Sequence, residues 1–297
     1  MRRIFLSFLI LFLGIPVWGA IAETSDQQAM IAKAMEAQTK ILRRDYEGSL
    51  RIFKELEEEY PRHPVGPFGK MGLWVMRMQE NETFEFDREY FEAAEKGIAL
   101  MDQLPGQKKE LSEWDMFILS AGYGIHGFYH SKKHEWWKAY VFGNKAKQFL
   151  MKLIWKNPKF YDAYMGLGMY KYYRSVFTNQ LWYFPFYPDR REEGINDLKL
   201  AVTKGEYSPD LSAANLGLIY LREKRFKEAG DLFKPLVKKF PDNIILRISL
   251  GRAYLIDKKY KLAMKEFKEV LKIDSKNKMA LKFIKEIKRA EKDKKGK

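Results

Sequence analysis

The sequence contains no cysteine among its 297 residues. This absence excludes a disulfide framework, a thiolate metal site and a cysteine nucleophile. It also excludes a bacterial lipoprotein signal, which needs a cysteine at its cleavage point. The H-E-x-x-H and G-x-S-x-G motifs are missing as well, and no pair of carboxylates is set apart by its spacing. We therefore expect neither an enzyme nor a cofactor.

The N-terminus has the three parts of a secretory signal peptide. Arg2 and Arg3 precede the almost wholly apolar run 4–13, and Ala20-Ile21-Ala22 is an A-x-A cleavage pattern before Glu23. We therefore predict that residues 1–22 are removed and that the mature protein is exported to a bacterial periplasm. The alternative is a retained anchor, because the run 4–22 is about long enough to span a bilayer.

Positive charge is concentrated at the C-terminus. The formal net charge is +15, and residues 258–297 contain 16 lysines and arginines against six acidic residues. After an export signal, nucleic acid is not the expected partner of such a segment. An anionic envelope surface or an acidic protein face fits it better. The alternative is a solvated helix face that only keeps the end of the chain soluble.

An internal repeat is the most informative pattern. Leu216-Gly217-x-x-Tyr220 matches Leu250-Gly251-x-x-Tyr254, and Ala229-x-x-x-Phe233 matches Ala263-x-x-x-Phe267 at the same offset. Glycine and alanine are small where two helices of a unit cross, and the phenylalanine is expected to fill the space between repeats. The pattern and its period of about 34 residues resemble the tetratricopeptide repeat (TPR) family. Segments near 156–194 also resemble a group of exported bacterial TPR proteins of poorly defined function.

This resemblance implies an all-α, right-handed TPR-like superhelical solenoid of about six helix pairs. Residues 23–209 would form degenerate repeats with an aromatic insertion near 174–191. Residues 210–277 would form two regular units, and residues 278–297 a capping helix with a basic tail. A solenoid needs such a cap to cover its last open face.

TPR proteins bind partners on their concave face, so the resemblance implies a non-enzymatic envelope adaptor that holds a protein or peptide. With glycine as the eighth residue of a unit, the second, fifth, ninth, twelfth and thirteenth residues face the groove. The predicted partner-binding residues are Met169, Tyr172, Tyr173, Trp182, Tyr183, Asn215, Arg222 and Arg252. The groove is mostly apolar, which suits an amphipathic helix or an extended apolar peptide. Alternatively, the C-terminal helix folds over and fills it.

The aromatic insertion supports a second hypothesis. It contains Phe177, Trp182, Tyr183, Phe184, Phe186 and Tyr187 beside Arg174, Arg190 and Arg191. Aromatic rings with arginines can stack sugars, bind peptides or lie at a membrane interface. The chain would then be a ligand-binding or cell-wall glycan-binding accessory, associated with a transporter. The alternative is that the insertion packs onto its own repeat.

Three histidines support a third hypothesis, metal handling. His126, His130 and His134 have the i, i+4, i+8 spacing that places side chains on one helix face, and Asp115 or Glu135 would add a ligand. Against this, Ser131-Lys132-Lys133 is predicted to be a turn, which would carry His134 away. The alternative is a polar helix end, where histidine suits the helix dipole.

Overall fold

The computed structural model describes residues 25–108, 110–178 and 188–295, and within these ranges the protein is entirely helical. Thirteen helices and no strand occur there. They are α1 (Ser25–Leu42), α2 (Tyr46–Glu59), α3 (Val65–Asn81), α4 (Asp87–Gln107), α5 (Glu113–Lys132), α6 (Trp136–Lys156), α7 (Ala163–Thr178), α8 (Arg191–Lys204), α9 (Pro209–Arg222), α10 (Phe226–Lys239), α11 (Ile244–Ile256), α12 (Tyr260–Ile273) and α13 (Lys278–Lys295). The predicted all-α fold is confirmed. The predicted signal peptide lies outside the described residues.

The helices pack as six consecutive pairs, from α1 with α2 to α11 with α12, and each pair stacks on the next. The last helix, α13, packs on α11 and α12. Its Phe283 ring stacks on Phe267 with 5.1 Å between the centroids. Its lysines, such as Lys282, Lys285 and Lys288, are exposed. This arrangement confirms a TPR solenoid of six helix pairs with a capping helix.

The same turn follows the first helix in five of the six pairs. Each turn has a non-glycine residue in the left-handed region, with φ between 53° and 62°, and these residues are Arg44, Glu82, His134, Lys224 and Lys258. The next amide donates to the carbonyl five residues earlier, as Arg225 N does to Tyr220 O at 2.8 Å. This is the Schellman arrangement that ends a helix and reverses the chain. The sixth pair, α7 and α8, carries the insertion at this point.

Small residues bring the two helices of a pair into close contact. A Cβ atom at Gly217 would lie 2.7 Å from Phe233 Cζ, and Phe233 itself is fully buried. In the pair α7–α8 the backbones themselves meet, since a Cβ atom at Gly168 would lie 2.5 Å from Gly194 O. Side chains larger than glycine are therefore excluded at these crossings without a shift of the helices. The predicted close crossing at glycine is confirmed, and the phenylalanine, expected between repeats, contacts the glycine of its own unit.

The C-terminal repeats also bond to the N-terminal repeats. Asn243 Nδ2 donates to Leu42 O at 3.0 Å, and Asn277 Nδ2 donates to Glu80 O at 3.0 Å. The two asparagines occupy equivalent positions of successive units. Each also caps its own helix, because Asn243 Oδ1 accepts from Leu246 N and Asn277 Oδ1 from Ala280 N. One side chain thus begins a helix and closes the solenoid turn against α1 or α3.

Among the described residues, no helix has both the length and the apolar character needed to cross a bilayer.

Candidate partner-binding site

A cavity of about 280 Å³ lies among α5, α6 and α7. We call it the aromatic chamber. Its lining includes Trp136, Tyr140, Met169, Tyr170, Tyr173, Phe177 and, from α9, Arg222. Two of its glycines leave room, because a Cβ atom at Gly124 or Gly143 would meet another atom only at 4.0 Å. Rings and glycines together form a concave, mostly apolar surface of the kind that binds ligands or side chains of a partner.

A second cavity, of about 230 Å³, lies between α3, α5, α11 and the start of α13. We call it the polar chamber. Its polar lining consists of Gln79, Glu82, Thr83, Ser131, Lys132, His134, Ser249 and Arg252. Its walls come from both ends of the chain, since Met78 and Met279 border the same space. The chamber therefore exists because the asparagine bonds bring the C-terminal repeats against the N-terminal ones.

The two chambers meet at the C-terminal end of α5. Phe128, Ser131 and Lys132 border both of them. The Lys132 ammonium lies 5.6 Å from the centre of the Phe128 ring, a cation–π contact that holds the charge between the chambers. A single bound segment can therefore contact apolar rings in one chamber and charged groups in the other.

The described lining of the chambers is positively charged. It contains four cations, Lys132, Arg174, Arg222 and Arg252, and one carboxylate, Glu82. Burial lowers the pKa of the Lys132 ammonium and of the Arg252 guanidinium, and burial raises the pKa of the Glu82 carboxyl. Each shift means that the charged form is poorly solvated. The Glu82 carboxylate opposes the effect of burial on both Lys132 and Arg252, so these three groups interact electrostatically within the polar chamber.

Hydrogen bonds fix the wall of the aromatic chamber on the α7 side. Tyr170 Oη donates to Asn144 Oδ1 at 2.7 Å, and Arg174 Nη1 donates to Tyr170 Oη at 3.3 Å. The ring of Tyr173 stands edge-on to Tyr172 at 5.0 Å between centroids. The chamber is therefore preformed by contacts within the protein, which reduces the ordering that a ligand must impose.

The predicted partner-binding residues fall into three groups. Met169, Tyr173 and Arg222 line the aromatic chamber, and Arg252 lines the polar chamber. Tyr172 and Asn215 are buried and bond within the protein, Tyr172 Oη to Glu223 Oε1 at 2.5 Å and Asn215 Nδ2 to Leu211 O at 3.0 Å. Trp182 and Tyr183 lie outside the described residues. The flanks of the predicted insertion are helical, since α7 extends to Thr178 and α8 begins at Arg191.

Sequence reasoning missed Lys132 and Glu82. The predicted turn between the two helices is present, but it lies two residues later than Ser131-Lys132-Lys133, because α5 continues to Lys132 and the left-handed residue is His134. The structure shows that Gly127 is the residue that crosses the second helix in its pair. A Cβ atom there would lie 3.1 Å from Ala139 O. With Gly127 as the eighth residue, the ninth, twelfth and thirteenth are Phe128, Ser131 and Lys132, the three that border both chambers.

The histidines form a hydrogen-bonded chain on α5. Tyr90 Oη lies 2.9 Å from His126 Nδ1, His126 Nε2 lies 3.1 Å from His130 Nε2, and His130 Nδ1 lies 2.5 Å from Glu135 Oε2. Burial, with the neighbouring His130, lowers the pKa of His126 to about 3, and burial lowers the pKa of His130. Both rings are therefore neutral at neutral pH.

This chain is not completed into a metal site among the described residues, where no group of three or more histidine or acidic side chains is arranged around a common point. His134 stands in the turn after α5. Asp115, expected as a further ligand, lies at the opposite end of α5 and accepts from Lys108 Nζ and Ser112 N. The polar atoms of His126, His130 and Asp115 are thus hydrogen-bonded to other groups of the protein.

Residues 246–277 match the tetratricopeptide repeat family. The match lies within the second of the two regular units, and with the paired helices it confirms the TPR resemblance. Residues 246–277 thus form one recognisable tetratricopeptide repeat within the longer array of helix pairs. No curated protein matches the chain.

Two solved structures are similar in part. The APC/C hetero-tetramer Cut9–Hcn1 shares 14% sequence identity over 87% of this chain and 42% of the matched chain, with a TM-score of 0.48. The C-terminal part of a TPR repeat-containing protein from Cytophaga hutchinsonii shares 15% identity over 82% of this chain and 79% of its own, with a TM-score of 0.35. This chain thus spans less than half the length of the first of them.

Proposed function

We propose that this chain is an exported, non-enzymatic adaptor of the bacterial envelope that binds an apolar, acidic peptide segment of a partner protein in the two chambers. The observation that supports it is the joined lining of rings and cations, with four cations against one carboxylate. An extended segment would place its apolar side chains in the aromatic chamber and an acidic group near Lys132. Such complementarity gives specificity and speeds association.

The test uses two synthetic peptides of equal length with the same apolar residues, one with glutamates and one with lysines at the polar positions. Binding to the mature protein is measured by fluorescence anisotropy. We expect the acidic peptide to bind at least about tenfold more tightly. Charge reversal by Lys132→Glu with Arg222→Glu should reverse that order, and Lys227→Glu on the exposed side of α10 should not.

Filling the chamber provides an independent variant. Gly143→Leu adds a side chain where a Cβ atom has open space, so it should block the aromatic chamber while the helix stays folded. Gly230→Leu is the matched control, because it adds the same side chain to α10 at a glycine with nothing within 4 Å. Loss of peptide binding in the first variant alone supports the site. Equal binding in both variants would exclude it.

A small apolar acid is the second candidate ligand, because a volume of about 280 Å³ is close to the lower end of small-molecule pockets. This would be the transporter-associated ligand-binding role. Titration with a medium-chain fatty acid, against a neutral alcohol of the same length, separates it from the peptide hypothesis. Binding of the acid that Gly143→Leu abolishes, with no binding of either peptide, would establish this second role.

Export and cleavage also belong to the proposal. Mass spectrometry of the protein from a periplasmic fraction should show Glu23 as the first residue. An intact Met1 in the membrane fraction would show a retained anchor, and a cytoplasmic location would exclude the envelope assignment.

A further inference from the structure

Helix α6 exposes a row of large apolar side chains. Trp137 is 74% exposed, Tyr140 49%, Met151 51% and Trp155 88%. Soluble proteins rarely expose two tryptophans to this extent on one helix, because each adds a large apolar surface to water. The row therefore marks an interaction surface.

The row runs along one face of the helix. Trp137 and Trp155 are separated by five turns of about 3.6 residues, so they point in the same direction about 27 Å apart. The buried residues of α6 are Ala146, Leu150 and Leu153. At about 100° per residue these lie on the opposite side of the helix. The exposed face is thus straight and long, and Tyr140 at its edge also lines the aromatic chamber.

The charge of α6 has one sign. Among its 21 residues are five lysines and no acidic residue, and the lysines are Lys138, Lys145, Lys147, Lys152 and Lys156. Three of them pair with carboxylates before or outside the helix, Lys138 with Glu135, Lys145 with Asp102 and Lys156 with Glu110. Lys147 and Lys152 instead lie over the rings of Tyr170 and Phe149, at 5.7 and 5.5 Å.

We propose that α6 docks this protein on the surface of an anionic lipid bilayer. Trp137 and Trp155 would lie at the level of the headgroups, where tryptophan is enriched, and the lysines beside them would face the lipid phosphates. Charge complementarity favours lipid over a protein partner, since the helix has no carboxylate of its own and Lys147 and Lys152, on either side of the row, lie over rings rather than against carboxylates. The helix would lie flat, because both tryptophans point in one direction.

This inference is independent of peptide binding. Trp137 and Trp155 do not line either chamber among the residues described, whereas Gly143 and Lys132 do. Filling the aromatic chamber should therefore leave lipid binding intact, and removing the two tryptophans should leave peptide binding intact. Either proposal can fail alone.

The experiment is flotation of the mature protein with vesicles of phosphatidylcholine alone or with about 30% phosphatidylglycerol. We expect binding only to the anionic vesicles, weaker at high salt because the attraction is screened. Brominated phosphatidylglycerol should quench tryptophan fluorescence. The double variant Trp137→Ser with Trp155→Ser should bind at least about tenfold more weakly, and it should fold normally because both rings are exposed. Lys147→Gln with Lys152→Gln should weaken binding roughly fivefold per lysine.

The matched control is Ile256→Ser with Leu281→Ser, which removes two exposed apolar side chains near the basic C-terminus. It should bind vesicles like the wild type. Loss of binding in this control, with normal binding in the tryptophan variant, would place the lipid contact at the C-terminus and overturn the proposal. Equal binding to neutral and anionic vesicles would also overturn it, as would a wild-type dimer in gel filtration that the tryptophan variant lacks.

Discussion

The hydrogen bonds that Asn243 and Asn277 donate to α1 and α3 should stabilise the fold by a measurable amount. Asn277 is fully buried, and its Nδ2 donates to Glu80 O at 3.0 Å and to Asn81 Oδ1 at 3.1 Å. Its Oδ1 caps α13 through Ala280 N. Asn277→Ser keeps a capping oxygen but loses the two bonds donated to α3, since serine is too short to reach that helix. A buried acceptor left without its partner costs about 1–3 kcal/mol, so the free energy of unfolding should fall by that amount.

Asn277→Ala should cost about 1 kcal/mol more, because it also removes the cap. Asn277→Asp should lower the free energy of unfolding more than Asn277→Ser does, because it keeps the cap but places a carboxylate against two oxygens of α3. Asn243→Ser should behave like Asn277→Ser, because Asn243 makes the equivalent bond to Leu42 O.

Urea unfolding followed by circular dichroism and by tryptophan fluorescence measures these differences. A double-mutant cycle of Asn277→Ser with Asn81→Ala isolates the bond between the two side chains. We expect the two probes to separate in the serine variants, because repeats without closure interact only with their neighbours. If both serine variants unfold within about 0.3 kcal/mol of the wild type, which is the error of such measurements, closure does not stabilise the fold.

Three further predictions follow from the pairs and the histidines. Gly217→Ala should lower the free energy of unfolding by about 1–3 kcal/mol, because its Cβ atom would lie 2.7 Å from the buried Phe233 ring; a urea midpoint equal to that of the wild type would contradict this. Lys224→Gly should raise the free energy of unfolding by up to about 1 kcal/mol, because the exposed Lys224 has a φ of 60° and glycine adopts this conformation without strain. A loss of stability would contradict this prediction. The pKa of His126 is about 3 in the folded protein and about 6.5 in the unfolded chain. Its contribution to the free energy of unfolding is therefore present above pH 6.5 and is lost as the pH falls toward 3, at up to about 1.4 kcal/mol per pH unit. The free energy of unfolding of His126→Gln should change less with pH than that of the wild type.

The helices of the C-terminal repeats were predictable because several residues of each unit recur at the same spacing. Gly217, Ala229 and Phe233 recur together in the next unit, and each has a steric reason to be where it is. The first four pairs lack this redundancy. In α5, Gly122, Gly124 and Gly127 all compete for the crossing position, and only the structure shows that Gly127 fills it. The polar segment Ser131-Lys132-Lys133 then predicts the turn two residues too early.

Closure of the solenoid was not predictable from local patterns. An asparagine at a helix start is an ordinary cap, so Asn243 and Asn277 gave no sign of their second bonds. Those bonds join the two ends of the chain, at distances that depend on the summed geometry of several pairs. The burial of two predicted groove residues was likewise not visible in the local pattern. Tyr172 and Asn215 sit at or beside groove positions in the pattern, yet their polar atoms bond within the protein.

The bonds from Asn243 and Asn277 also bear on how the protein folds. Helical repeats usually form from neighbouring contacts, so an open array can build up one unit at a time. Here α1 and α3 receive their final partners only when the last two units arrive. A chain that is synthesised from its N-terminus therefore lacks these bonds to α1 and α3 until Asn243 and Asn277 have been added. Closure thus joins helices whose formation is separated by about 200 residues of synthesis.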